Sequence, residues 1–388
     1  MTAALLLAAV TFGAPFSDGC VLQRGRPVPV WGLASPGEEV KVVFADKSAV
    51  THAGADGAWR VDLPALEASA EGRELKANGA IVRDVLVGEV WLASGQSNMA
   101  FPLRAGNPRG TDRGGALAAG MTRIPALRYA SVPSRRADSP RRDGRIVWHA
   151  AVPEELEKHA FSAVGFYFAR ELAQSLGVPV GVIGASVGAT SIDSWIPAER
   201  FSFERSPRAG NDPSVCYNGM VAQIVPYASK GLVWYQGERN SDAREWPLYA
   251  AKLSVFFASW KEAFENEDLR IRLVQLAPWG REPLPYVQEA QSVFTAGEPA
   301  AKMAIVNDLG NLSDIHPNDK EPVGRRLAAL ALKHDYGFDI AADSPEIASW
   351  RVDGSNAVLS VAGARRLYVY HPDWPYRGGP AGTEALGF

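Results

Sequence analysis

Ser97 stands in "GQSN", just past the apolar run "DVLVGEVWLAS" (84–94) and flanked by the amides Gln96 and Asn98. A serine leaving a buried strand can present its hydroxyl to a carbonyl, and its own backbone N–H can donate to the oxyanion that forms. Three further segments follow apolar runs and carry complementary groups. "GASVGATSIDSW" (184–195) contains Gly188, where backbone can approach a reacting atom with no side chain in the way. "WYQGERNS" (234–241) crowds Gln236, Glu238 and Asn240 at a strand end, where amides can donate to developing negative charge. "NLSDIHPNDKEPVGRRLA" (311–328) holds His316, with Asp314 two residues before it as an acid able to orient the imidazole. Among six histidines, His316 is the one that follows the last apolar run in a loop ahead of a helix. The chemistry these types suit is acyl transfer through a serine nucleophile and a histidine base. Each piece has a plainer role as well: Ser97 as a helix N-cap, Gly188 as a turn glycine, the amides as loop fasteners.

The elements that must position these groups can be read from hydrophobic periodicity. From about residue 85, apolar runs at 84–94, 126–132, 178–186, 231–237, 271–277 and 301–308 alternate with helical patterns, clearest at 162–177 and 243–265. Continuous apolar strands separated by helices predict parallel strands buried on both faces, a doubly wound α/β sheet. Ligands of such sheets bind outside the carboxyl ends of the strands, where the four polar segments fall. Residues 1–85 instead show period-2 alternation in "PVPVWG", "EEVKVVF" and "GAWRVDL", predicting a small β-sandwich-like domain. The body is expected over 86–340. Residues 341–388 return to short alternating strands around a turn at Asp353-Gly354-Ser355-Asn356, expected to pack back on the body.

Composition narrows the function classes. Hydrophobic content of 47% and a net charge of −3 describe an ordinary globular chain and argue against a nucleic-acid-binding surface. Two cysteines cannot build a disulfide framework, and neither C-x-x-C nor paired-histidine spacing occurs, so no structural metal is expected. No apolar run is long enough to span a bilayer. The N-terminal "MTAALLLAAV" lacks a basic start; it reads either as an incomplete secretion signal or as residues ahead of the first strand.

Taken together, the segments resemble the SGNH-type hydrolases and, within them, the sialate O-acetylesterase-like carbohydrate acetylesterases. "GEVWLASGQSNM" is similar to that family's nucleophile block and "GVPVGVIGASVGATSIDSW" to its glycine block. "YNGM" with "GLVWYQGERN" is similar to its third block, and "DIHPNDKEPVGRRLA" to its closing block. The resemblance implies an SGNH/flavodoxin-like hydrolase domain that removes O-acetyl groups from a carbohydrate without a cofactor, a sialic acid or a plant polysaccharide such as acetylxylan. A catalytically inactive carbohydrate-binding protein is the alternative from another class. The resemblance makes Ser97 the nucleophile, His316 the base and Asp314 the acid, with an oxyanion hole from Ser97, Gly188 and an amide of Gln236 or Asn240. Gln96, Asn98, Asn218, Glu238 and Arg239 become candidate substrate-binding residues. Ser313 occupies the position three before the histidine where the superfamily has its acid, which leaves a dyad, or help from Asp308, as alternatives. Gly188-Ala189 stands where relatives often have two glycines. Trp195, Trp234 and Trp246 are candidates for stacking on sugar rings. The resemblance favours a periplasmic or extracellular protein and implies that "EALGF" is a truncated end.

Overall fold

A computed structural model describes residues 9–104, 110–204, 211–280, 284–363, 369–370 and 380–382; most of the N-terminal apolar run and the final "EALGF" lie outside them. The protein is a mixed α/β structure organised by one large mixed sheet. Its backbone is a path of seven strands: β1 (Ala80–Gly95), β2 (Ile124–Ser131), β3 (Trp148–Ala151), β4 (Val180–Ser186), β5 (Gly231–Tyr235), β6 (Arg270–Val274) and β7 (Ala301–Ala304). They lie in the order β3-β2-β4-β1-β5-β6-β7. All neighbours on this path are parallel except β3, an antiparallel edge strand that the apolar-run reading did not anticipate, because "WHAA" is too short and polar to register as one.

β1 dominates the fold. Its first half pairs with Ser69–Ala77 and Val21–Gln23 in the N-terminal β region, and its second half lies between β4 and β5. The strand therefore runs straight through residue 85. From β1 the chain first builds the β4/β2 side and then the β5/β6/β7 side. β1 thus stands between the two sides of the sheet. The other N-terminal strands divide between this sheet and a separate three-stranded sheet of Thr11–Phe12, Val28–Leu33 and Ala58–Leu63.

Four longer helices cover the sheet: α1 (Ala163–Leu176), α2 (Tyr249–Ala263), α3 (Leu284–Gly297) and α4 (Glu321–Tyr336). α1 starts where the Ser162 hydroxyl accepts from the Gly165 N–H at 3.1 Å, and it ends at Gly177 in the left-handed region, as its pattern predicts. α2 begins later than its pattern, after a 3₁₀ turn at Trp246–Leu248, because Pro247 interrupts the helical hydrogen bonding. α1 packs on α4 with almost no gap: a Cβ on Gly324 would meet Tyr167 Cβ at 2.5 Å. Among the described residues no helix is long and apolar enough to cross a membrane.

Two expectations are corrected. No helix follows Ser97; the chain makes a single turn closed by the Ala100 N–H on the Gln96 carbonyl at 2.9 Å. The C-terminal hairpin of Glu346–Asp353 and Asn356–Ala362 forms around the predicted turn, with Gly354 at φ 61°. It is not buried against the body: Ile347 and Trp350 are 61% and 70% exposed. Alternation in a strand says which residues share a face, not whether anything covers that face.

Candidate active site

The site is built on the carboxyl ends of β1, β4 and β5. β1 leaves its ladder at Gly95, whose φ of 140° and position against β5 both require glycine: a Cβ there would lie 2.1 Å from the Tyr235 carbonyl oxygen. The Gln96 N–H then donates to that carbonyl at 3.0 Å, and the Val187 N–H from the β4 exit donates to Gly95 at 3.1 Å. Ser97 is thus carried over the sheet end, where its Oγ lies 2.8 Å from His316 Nε2. Two residues separated by 219 positions meet within hydrogen-bond distance, as a nucleophile and its base must. Phe101 stacks near the imidazole, centroids 6.4 Å apart and planes 24° from parallel.

Gly188 lies against Ser97. A Cβ there would stand 3.5 Å from Ser97 Cβ. Among the described residues, neither the Ser97 nor the Gly188 backbone N–H donates to any acceptor of the protein. Two free amide donors beside a serine hydroxyl are what an acyl oxyanion requires. A cleft of about 470 Å³ opens beside His316, lined among others by Arg113, Asn311, Asp314, Asn318 and Asp319.

A family profile described as carbohydrate esterase, sialic acid-specific acetylesterase matches residues 87–333, more than half of the chain. The chain belongs to that family. This esterase is similar to a carbohydrate acetylesterase of known structure from Xanthomonas citri, with 34% identity and a TM-score of 0.82 over 91% of this chain and 81% of that one. It is similar to the human sialate O-acetylesterase, 27% identical over 84% of this chain and 71% of the relative. The mouse sialate O-acetylesterase is 24% identical over 93% of this chain and 80% of its own length. The protein is accordingly a carboxylic ester hydrolase of the O-acetyl carbohydrate esterase class.

Not every residue singled out in the sequence faces the cleft of the esterase. Gln236 and Asn240, expected as oxyanion donors, are fully buried and bound to their neighbours. Gln236 Nε2 reaches Asn240 Oδ1 at 2.7 Å, the Thr190 carbonyl at 3.0 Å and Gln96 Oε1 at 3.2 Å, while its Oε1 accepts from Tyr249. Asn240 Nδ2 donates to Glu245 at 3.1 Å, and its Oδ1 also accepts from the Ile192 N–H at 3.0 Å. These amides lock the β4 and β5 exits together. Gln96 works with them, its Oε1 also accepting from the Arg239 N–H at 3.2 Å. Behind them Lys252 is buried between Asp193 and Glu245, 2.8 Å from each.

Asn98 and Glu238 are likewise buried. Asn98 Nδ2 donates to Glu238 Oε1 at 2.5 Å and to the Ile315 carbonyl at 3.0 Å, and burial pushes the Glu238 carboxyl up from its ordinary range. Asn218 is buried in the π-helical turn Tyr217–Val221, apart from the Ser97–His316 pair's own contacts, and its carbonyl accepts from the Arg141 N–H. Arg239 is half-buried beside Glu238. Trp195 and Trp234 are fully buried core residues, not sugar platforms, whereas Trp246 stacks on the exposed Tyr286 at 4.5 Å.

Asp314 stands close to His316 in an unusual way. Its carboxylate accepts from the His316 backbone N–H at 2.8 Å, while the distance to Nδ1 is 3.7 Å. A two-residue offset curls the side chain back on the backbone, as in an Asx turn. Asp308 is taken by a bidentate pair with Arg326. Away from the cleft, His149, Glu155 and His159 converge. Their imidazoles stack 3.6 Å apart, closer than two rings can lie on one tetrahedral ion with metal–nitrogen bonds of about 2.0–2.1 Å, so the set reads as a carboxylate shared by two histidines.

The buried residue at this site that the sequence reading passed over is Lys320, whose ammonium donates to Asn98 Oδ1 at 2.6 Å. A signal existed: a lysine directly ahead of α4 opposes the helix dipole.

Proposed function

We propose that this esterase removes O-acetyl groups from sialic acids through an acetyl-serine intermediate. His316 Nε2 takes the Ser97 proton as Oγ attacks the acetyl carbonyl carbon. The oxyanion is held by the Ser97 and Gly188 backbone N–H groups. On collapse, the C–O bond to the sugar breaks and the imidazolium returns its proton to the departing sugar oxygen. Water, deprotonated by His316, then attacks the acetyl-Ser97 carbonyl; acetate leaves and Ser97 recovers its proton. Asp314 fixes the His316 backbone, so we read the machinery as a dyad assisted by a nearby carboxylate rather than a tightly coupled triad.

The observation that carries this reading is the 2.8 Å contact between Ser97 Oγ and His316 Nε2 beside Gly188. The proposal includes a doubly wound SGNH-type hydrolase body over 86–340, a β-sandwich-like region before it and a β segment after it. Gln96, Asn98 and Glu238 then serve as supports of the loops.

The test is acetate release from 9-O-acetylated sialic acid and from acetylxylan, side by side, with Ser97→Ala as control. Release from the sialic acid that vanishes in the variant supports the reading. Preference for acetylxylan would replace the substrate and leave the chemistry. Saturable sugar binding without acetate release by the folded protein would overturn both.

A further inference from the structure

Lys320 is placed where a lysine is ordinarily disfavoured. It immediately precedes α4, where the helix dipole repels a cation, and its side chain is completely buried, which strips an ammonium of its hydration. The surroundings offset part of that cost. The ammonium donates to Asn98 Oδ1 at 2.6 Å and lies 5.0 Å from the Phe101 ring centroid and 5.5 Å from that of Tyr235. The Lys320 backbone N–H is itself anchored on Asp112 Oδ1 at 2.8 Å, and Asp112 is held by the Tyr167 hydroxyl at 2.7 Å.

Asn98 is what connects this lysine to the chemistry. It is the residue after the nucleophile, and both ends of its side-chain amide are bound. One end donates to the carbonyl of Ile315, the residue before His316, at 3.0 Å, and to the buried Glu238 carboxylate at 2.5 Å. The other end accepts from Lys320, four residues after His316. The amide therefore ties the Ser97 turn to the His316 loop on both sides of the histidine, and it sits between a buried cation and a buried carboxylate.

We propose that Lys320 is a positioning residue for the ester hydrolysis: through Asn98, and with Glu238 as its opposing charge, it holds the nucleophile turn and the base loop in register. The proposal rests on the reading of Ser97 and His316 as nucleophile and base.

A pH signature follows. The charged groups facing Lys320 are Glu238 from the β5 exit, Asp112 from the segment before Gly115–Met121, and Asp314 and Asp319 from its own loop. Burial brings the ammonium down to about 7, against the pull of these carboxylates. The clamp is thus fully charged below that value and loses its proton as pH rises through it. A neutral amine donates a weaker bond and leaves Glu238 without its counter-charge.

The experiment compares wild type, Lys320→Met, Lys320→Met/Glu238→Gln and Ser97→Ala on a small acetyl ester, from about pH 5.5 to about pH 9, with melting measured on each. Lys320→Met should lower kcat by about 10²-fold, the scale of a small misplacement of reacting groups, with KM within about twofold. An alkaline limb near the Lys320 value should be present in wild type and absent in Lys320→Met. The double variant, which removes the stranded carboxylate, should recover kcat over the single one. A folded Lys320→Met with wild-type kcat and an unchanged pH profile overturns the proposal. If the single variant does not fold, a folded double variant with wild-type kcat and the alkaline limb intact overturns it equally. An active Ser97→Ala would instead overturn the nucleophile reading, so the two failures are separable.

Discussion

Replacing Gly188 by alanine should disable the esterase without disturbing its fold. Gly188 is exposed, and its φ lies outside the left-handed region, so an alanine can adopt the backbone it already has. The added methyl would meet Ser97 Cβ at 3.5 Å and Ser97 Cα at 3.9 Å, ordinary contact distances in the resting enzyme. Stability should stay within about 0.5 kcal/mol of wild type, as for most exposed substitutions free of backbone strain. In the proposed reaction, however, the methyl, 3.5 Å from Ser97 Cβ, crowds the acyl oxygen that settles between the two backbone donors. Denying an oxyanion one donor costs about 10²–10³ in kcat, or about 2.7–4 kcal/mol of transition-state stabilisation. The assay is kcat and KM on an acetyl ester together with a thermal melt. The expected result is a kcat lower by at least about 10²-fold at an unchanged melting temperature. A kcat within twofold of wild type in a normally folded protein would refute the placement of the oxyanion between Ser97 and Gly188.

Asp314→Asn should reduce kcat by about tenfold and no more, far less than the roughly 10⁴ loss when a tightly coupled triad aspartate is changed, because Asp314 serves the His316 backbone more closely than Nδ1; a loss near the larger figure would restore a full triad. Lys252→Met should destabilise the fold by about 3–5 kcal/mol in urea titration, since it strands the buried Asp193 and Glu245 carboxylates. Burial raises Asp193 to about 6, so it binds its proton more tightly in the folded state than in the unfolded one. Without Lys252, which pulls that value down, Asp193 takes its proton at higher pH still, so the Lys252→Met deficit should shrink as pH falls toward about 6, and a deficit independent of pH would contradict the assignment. Ala189 adopts φ 60°, the left-handed region that costs an alanine about 1–2 kcal/mol. Ala189→Gly should relieve that strain against about 0.4–1 kcal/mol of added unfolded-state entropy, raising stability by up to about 1.6 kcal/mol; a lower melting temperature would count against it.

Much of the scaffold of the site was legible in the sequence, for identifiable reasons. Parallel strands buried on both faces cannot alternate, so β1, β4, β5 and β6 stand out as apolar runs, and the polar residues that interrupt them mark their carboxyl ends. Helix α1 shows in the sequence through its apolar stripe and Gly177, whose C-cap role is local; the Ser162 cap at its start was seen only in the structure. Ser97, Gly188 and His316 could be selected because strand exits in such a sheet converge whatever loops intervene. At Gly95 the structure supplies the reason for a glycine at the strand exit: the Tyr235 carbonyl lies where its side chain would be.

What the tertiary structure alone decided is where side chains with a choice of partners point. Gln236 and Asn240 have the chemistry of oxyanion donors, but in the folded protein Thr190, Gln96, Glu245 and Ile192 claim them first. The same holds for Trp195 and Trp234, whose rings could suit a sugar but are enclosed by the core. The antiparallel edge strand β3 is defined by pairing with β2 rather than by its own composition. Lys320 is the clearest case. Nothing local distinguishes it from a surface lysine except its place ahead of a helix, and its partners Asn98 and Glu238 are brought to it from 222 and 82 residues away in the chain. Periodicity and strand exits are properties of a segment and survive in the sequence. Hydrogen-bond partnership in a buried site is a property of several segments at once, and it exists only after they have packed.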